Sequence, residues 1–317
     1  MMHGESILAG NIMIRYLNRE EIDEQQWNRV VSRWRYETVY PYTWYLDLVA
    51  PDWSALVMED YQSIMPLAWK KKLGIRYLYQ PVSTQQLGVI SGGDGDPPPE
   101  VVQTFLRSLP EYFHLGTYAF NRGNSVEKEP GFMVEERMNY ELDLSAPYEK
   151  IRRGYATNTR RNLARAERSG LHLTVHVQPG EFLERRRTYD PFQRGNRFYD
   201  VVANLVTGLK REERGMIYGV RRGEKLIAGA LFAFSGKRAV YLHSFSDEEG
   251  RENRSMFQIV DSFVRTHEGE EKILDFEGSM VPSIARFFEG FGADPVSYQR
   301  VRFNRFPRNI IARKSSA

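Results

Sequence analysis

The feature that most constrains the fold of this chain is a pattern of elements that occurs twice. In the second half, Met216–Val220, Leu226–Phe234 and Arg238–Phe245 read as three strands, joined by turns at Arg221-Arg222-Gly223-Glu224 and Ser235-Gly236-Lys237. A polar loop, Ser246–Asn253, leads into a helix at about Arg254–Thr266 with Met256, Ile259, Val260, Phe263 and Val264 on one face. A strand at Ile273–Glu277, a helix at Val281–Glu289 and a strand at Tyr298–Phe306 complete the set. About 160 residues earlier the same order appears. Ala55–Met58, Ser63–Trp69 and Ile75–Tyr79 are strands, the Gly-rich loop Ser91–Pro99 precedes a helix at about Glu100–Phe113, and Thr117–Phe120 and Met133–Leu144 are strands. The letters barely match, so the repeat lies in the pattern. Helical sequence precedes each set, at Glu20–Trp34 in the first and at Pro147–Ser169 and Gly180–Lys210 in the second. The expectation is α/β (α+β): two tandem lobes with mixed sheets flanked by helices, residues 1–145 and 146–317, divided near Ser145-Ala146-Pro147.

Composition narrows the chemistry. The 317 residues include no cysteine, which removes disulfide scaffolds, thiolate nucleophiles and Cys-built metal sites. No run approaches the roughly 18 apolar residues of a spanning helix. Met1–Arg15 lacks the basic start and apolar core of a secretory signal, so the chain reads as soluble and cytoplasmic. The net charge of +3 hides a division: residues 1–145 hold 13 basic and 20 acidic residues, residues 146–317 hold 31 and 21. A second half at +10 points to an anionic partner there. P-loop, dinucleotide-fingerprint, zincin and nucleophile-elbow motifs are all missing from the sequence.

Three stretches of the second half carry a resemblance. Tyr155-Ala-Thr-Asn-Thr-Arg-Arg-Asn162 with Ala164, Ala166 and Gly170, then Leu274-Asp-Phe-Glu-Gly-Ser279, then Phe287-Phe-Glu-Gly-Phe-Gly292 together resemble the FemAB-like branch of the GNAT (acyl-CoA N-acyltransferase) superfamily. Members have one GNAT fold or two in tandem. The resemblance implies an acyltransferase moving an acyl group from acyl-CoA, or from aminoacyl-tRNA, to an amine, either a small molecule or a cell-wall precursor. Two departures stand out. Gly250-Arg-Glu-Asn-Arg-Ser255 lacks the paired glycines of the superfamily's pyrophosphate loop, and Phe288 stands where bridge-forming members carry a lysine. Both leave open a second reading, a degenerate GNAT-fold binding protein without catalysis. A third, a tRNA-dependent ligase, draws on the +10 half.

Candidate residues follow, each beside a structural alternative. The loop ending at the helix near Arg254 presents free amides and a helix dipole suited to a donor phosphate, with Arg251, Asn253, Arg254 and Ser255 as ligands; it also reads as a solvated cap. Arg160 and Arg161, in the first motif, are further donor candidates, and Arg161, Arg165 and Arg168 share a helix face; a solvated charged face is the alternative. Asp275 and Glu277, alternating on one strand, are candidate bases for the attacking amine, or caps of the next helix. Tyr241 and His243, two residues apart on the third strand, would share a face and can orient or deprotonate the nucleophile; a structural pair is the alternative. His172 and His176 find no third metal ligand, so no metal is expected. The acidic Gly-rich loop Ser91–Asp96 repels phosphate, and the aromatic–basic run Trp34–Tyr45 reads as packing.

Overall fold

A computed structural model describes residues 6–9, 12–93, 95–278 and 280–306. Asp94 of the Gly-rich loop and Ser279 of the second motif lie outside them. The chain forms two compact units. Residues 1–36, 40–137 and 297–317 make the first, and residues 37–39 and 138–296 the second.

The first unit opens with β1 (Ser6–Ala9), β2 (Ile12–Asn18), α1 (Glu24–Arg33) and α2 (Thr43–Val49). Asp23 caps α1 by accepting from the Gln26 amide. The three expected strands follow as β3 (Trp53–Met58), β4 (Ser63–Lys72) and β5 (Ile75–Leu78), then the short β6 (Ile90–Ser91), α3 (Pro99–Arg107) and β7 (Phe113–Ala119). β8 (Phe132–Asp143) carries the chain from the first unit into the second.

The second unit continues with α4 (Tyr148–Arg153), α5 (Thr157–Arg168), β9 (His172–Thr174), α6 (Pro179–Thr188) and α7 (Asn196–Arg211). β10 (Gly215–Arg222), β11 (Lys225–Phe234) and β12 (Arg238–Ser246) form the antiparallel meander read from sequence. The loop expected after it holds a short helix, α8 (Glu248–Glu252). Then come α9 (Ser255–Thr266), β13 (Ile273–Asp275), α10 (Pro282–Glu289) and β14 (Asp294–Asn304), whose later residues belong to the first unit.

The pairing makes the repeat concrete. In the first unit β3, β4 and β5 are antiparallel neighbours, β7 joins β5 in parallel, and β14 closes antiparallel on β7. In the second unit β10, β11 and β12 are antiparallel, β13 joins β12 in parallel, and β8 closes antiparallel on β13. The closing strand of each set therefore comes from the other half of the sequence. For this reason the compact units are not cut at Ser145-Ala146-Pro147.

Helices cover both faces of the second sheet. Ala228, Ala230 and Phe232 of β11 belong to a core with Ile259, Val260 and Phe263 of α9 and Phe288 of α10. The opposite face of β11 receives α6, because a Cβ on Gly229 would meet Phe182 and Phe245.

Candidate functional site

β12 runs to Ser246, but β13 pairs with it only from Arg238 to Val240. Among the described residues no strand pairs with β12 on that side past Val240. The two strands therefore part, leaving a wedge whose apex is the Val240–Asp275 pair. A ladder hydrogen bond is a strong, directional group, and an edge left without a strand is a place for a ligand to add one.

The first unit treats the same junction differently. Past Leu78 the chain returns along β7: Leu87 bridges Phe120 in parallel, and its amide donates to the Ala119 carbonyl at 2.9 Å. Asn121 donates to the Leu87 and Val89 carbonyls, the Val89 amide donates to Asn124 Oδ1, and the Gly88 amide donates to the Tyr118 hydroxyl. Gly88 sits at φ +102°, where a Cβ would fall 2.2 Å from Asn124 Oδ1, so only glycine fits. A segment of the chain itself fills this wedge.

The open wedge in the second unit is built around Tyr241. Its half-buried ring meets Phe232 at 5.5 Å, Phe276 at 6.0 Å and Phe288 at 6.2 Å. Burial pushes its hydroxyl up to about 12, so it keeps its proton at neutral pH. Phe288, at the position where the resemblance looks for a lysine, is buried against Phe276 at 4.8 Å.

His243 does not share a face with Tyr241. The β11–β12 ladder shifts register here: Phe232 faces Tyr241, whereas Leu231 faces His243, so Leu242 is the extra residue of a bulge. Tyr241 turns to the α9–α10 side and His243 to the α6–α7 side, where its ring lies 6.1 Å from Phe198. Burial, then the charges of Arg186 and Arg194, push the imidazole down to about 3, leaving it neutral. Strict alternation misses a bulge because the inserted residue has no sequence signature of its own.

Asp275 ends β13, and Glu277 lies beyond the strand at φ 54°, so the two carboxylates do not alternate on one strand face. Asp275 is 3% exposed. Its Oδ1 accepts from the Glu277 amide at 2.9 Å, and its Oδ2 faces Arg238 at 3.4 Å, while Arg238 also pairs with Glu141 at 2.9 Å. Burial raises its carboxyl to about 6; Arg238 opposes the rise and the charge of Glu141 adds to it. The source of the rise is burial and Glu141, not Glu277. Neither acid caps α10, whose N-cap is Val281.

The donor candidates gather at the junction of α8 and α9. Arg254 is the N-cap of α9 at φ 60°, and no side chain caps this end. Arg251 donates to the Ser246 carbonyl at 2.7 Å and Arg254 to the Arg251 carbonyl at 3.2 Å. Among the described residues neither guanidinium pairs with a carboxylate. Ser255 is fully buried and its Oγ has no hydrogen-bond partner among the described residues. Asn253 instead donates back to the Glu249 carbonyl at 2.8 Å, closing α8. Of the four acidic residues of this loop, Asp247 and Glu249 are paired, whereas Glu248 and Glu252 are exposed. Asp247 caps α8 and pairs with Arg185 at 2.6 Å and Lys225 at 3.2 Å, and Glu249 pairs with Arg222 and Lys225. A Cβ on Gly250 would lie 2.6 Å from the Ile227 carbonyl, so this one glycine is needed where the paired ones are missing.

Arg160 and Arg161 lie exposed on α5, which packs on α9. The first and third motifs meet at the start of α5. The Ala156 amide donates to the Gly290 carbonyl at 2.9 Å, the Tyr155 and Phe291 rings lie 5.1 Å apart, and a Cβ on Gly290 would fall 2.5 Å from Thr159 Oγ1. These motif letters are thus partly packing letters. A separate cleft of about 730 Å³ in the first unit is bordered by Arg29 and Arg33 of α1, by Glu59 and Asp60, and by Asp96 of the Gly-rich loop. It mixes both charges.

No family model matches the chain, and no curated protein matches it. Solved structures do. FemX is similar over 92% of this chain and 98% of its own, at 13% identity and a TM-score of 0.62. The C-terminal domain of a putative lysylphosphatidylglycerol synthetase from Agrobacterium fabrum is similar over 92% and 95%, at 13% identity and 0.57. A tandem GNAT protein from the clavulanic acid biosynthesis pathway is similar over 93% and 99%, at 12% identity and 0.55. At these identities the likeness establishes the fold, and that fold is the FemAB-like, tandem GNAT arrangement that the sequence motifs resemble.

Proposed function

We propose that the second unit is an N-acyltransferase that takes an acyl group from an acyl-CoA and delivers it to an amine. The observation that carries this reading is the wedge between β12 and β13, open beside the uncapped start of α9 while the matching wedge of the first unit is filled by its own chain. The α9 end, Arg251 and Arg254 would hold the donor's phosphates. Ser255 Oγ adds a buried hydroxyl that lacks a partner among the described residues. Arg160 and Arg161 would extend this cationic surface from α5. The free edge of β12 would align the thioester and place backbone amides at the developing oxyanion. Two proton movements are then needed. The amine loses a proton before it attacks the carbonyl carbon, and the departing thiolate gains one as the C–S bond breaks. Tyr241, still protonated at neutral pH, is the donor to the thiolate. Asp275, ionised above about 6, is the candidate base. Glu277, just beyond the strand, is its alternative.

The rings of Phe276 and Phe288 around Tyr241 make this floor apolar. That suits a thioester and disfavours the tRNA-dependent reading, which wants a cation in place of Phe288. The enzyme and the non-catalytic binding protein are separated by one experiment. The purified chain is given acetyl-CoA and longer acyl-CoAs with an amine mixture, and free CoA release is measured alongside thermal shift. Binding with no amine-dependent CoA release leaves the binding-protein reading; absence of any CoA response removes the donor assignment.

A further inference from the structure

The α6–α7 side of β12 holds a buried group of charges that acyl transfer as described does not use. Asp190, at the end of α6, is almost fully buried and accepts from the Tyr199 hydroxyl at 2.6 Å, the Arg194 amide at 3.0 Å, the Phe192 amide at 3.2 Å and Arg194 Nη1 at 2.7 Å. Burial works to raise this carboxyl; these bonds and the nearby Arg186 overcome it and hold it well below the ordinary range. With four donors already on its two oxygens, Asp190 has little left for Arg186. Nη1 of Arg186 lies 3.3 Å from Asp190 without hydrogen-bond geometry, and its Nε has no hydrogen-bond partner among the described residues. Yet Arg186 is 93% removed from solvent, being 7% exposed. Two guanidiniums therefore share one carboxylate, and the imidazole facing them from β12 is neutral. A buried charge left short of partners is costly, and such a position persists where something else supplies the missing anion. Arg194, partly exposed and lying over the Phe192 and Phe198 rings at 4.5 and 4.7 Å, borders the group on its solvent side.

We infer that the amine acceptor carries an oxyanion, a carboxylate or a phosphate, which docks on the buried Arg186 guanidinium with Arg194 on the α6–α7 side of the β12 bulge. The inference rests on the acyl-transfer reading for the word acceptor; the anion site itself stands on Arg186. Bound there, the anion completes the charge balance of Arg186 and Arg194 against Asp190, and brings the amine to the strand whose other face carries Tyr241.

The test uses the full chain at fixed ionic strength in chloride. Thermal melting and calorimetry are run with glycine and O-phosphoethanolamine against glycinamide and ethanolamine, which keep the amine and lack the acid group, each with and without saturating CoA. The acid-bearing amines should stabilise the wild type and the two without an acid group should not. The effect should persist when CoA fills the donor site, and whichever of glycine and O-phosphoethanolamine acts tells carboxylate from phosphate. Arg186→Gln should weaken that binding at least tenfold, leave the CoA response intact, and melt no lower than the wild type without ligand. Equal responses to the amines with and without the acid group overturn the inference, and that comparison needs no variant. So does an Arg186→Gln protein that is destabilised but binds the acid-bearing amines as before, because Arg186 is then only the partner of Asp190. A wild type that ignores CoA but shows the Arg186-dependent anion response refutes the donor reading and leaves the anion site standing.

Discussion

Asp275→Asn separates two consequences of one buried carboxyl. The folded protein holds this proton up to about 6, against 3.8 for the group in an unfolded chain. The folded state therefore binds the extra proton between those values, and stability falls as pH rises through that window. Two units at about 1.4 kcal/mol each amount to roughly 3 kcal/mol at neutral pH, an upper figure because the carboxyl shares Arg238 with Glu141. Asparagine keeps the shape and the acceptor for the Glu277 amide, leaves Arg238 its 2.9 Å pair with Glu141, and removes the charge that burial disfavours. Urea denaturation of both proteins from pH 4 to pH 8 should show them alike at the acid end, with the variant gaining by up to about 3 kcal/mol above pH 6. Turnover on the same samples gives the second answer. If Asp275 is the base, wild-type activity climbs through about pH 6 and the variant loses about 100-fold or more at every pH above it. A stability difference that does not change with pH refutes the desolvation argument. A stable variant with full activity refutes Asp275 as the base whatever its melting behaviour, and moves the search to Glu277.

Other perturbations bear on other parts of the site. Arg254→Ala and Arg161→Ala should each weaken CoA binding by about 1–3 kcal/mol, with a shallower salt dependence measured by calorimetry; unchanged affinity in both removes them from the donor site. Gly250→Ala forces a methyl to within 2.6 Å of the Ile227 carbonyl and should cost about 1–3 kcal/mol in a denaturant melt while weakening CoA binding. Tyr241→Phe should lower kcat by about 10-fold or more with KM for the donor little changed, since the ring stays and only the proton is lost; an unaltered kcat assigns the thiolate's proton to another source.

The amphipathic stretches were legible in sequence because their burial follows a period. β10, β11 and β12 lie within a residue or two of their expected bounds, and α9 starts one residue later than expected. Three things escaped for physical reasons. The bulge at Leu242 turns His243 away from Tyr241, and its cause is the ladder with β11, a tertiary fact. Ile273–Glu277 looked like one strand because Leu274 and Phe276 are both apolar, yet Phe276 reaches its buried place by donating its amide to Tyr140 while the backbone after it enters the left-handed region at Glu277. Arg186 is the middle of three consecutive arginines on a polar helix, and only the α6 packing shows that it is buried while Arg187 is exposed. A charged residue in the interior has no periodic signature.

The two junctions past β5 and past β12 show how one strand pattern can serve both structure and chemistry. The parallel pair at each junction ends within a few residues, so each leaves an edge whose amides and carbonyls need partners. In the first unit the chain between β5 and α3 is long enough to double back, and Asn121 and Asn124 hold it in place through the carbonyls of Leu87 and Val89. That fixes the junction permanently, and Gly88 records the closeness of the fit. In the second unit the chain leaves β12 at Ser246 and turns at once into α8, where Asp247 is tied down by Arg185 and Lys225. So short a connection cannot return to cover the edge. An exposed edge invites unwanted pairing, and a device of this cost is kept where a ligand supplies the missing strand. The short turn that keeps the wedge open also sets the start of α9, and with it Arg254 and Ser255, at the end of the same loop. On this reading the open edge and the phosphate end are two products of a single connection, which is why the first unit, with its longer one, has the strand pattern without the site.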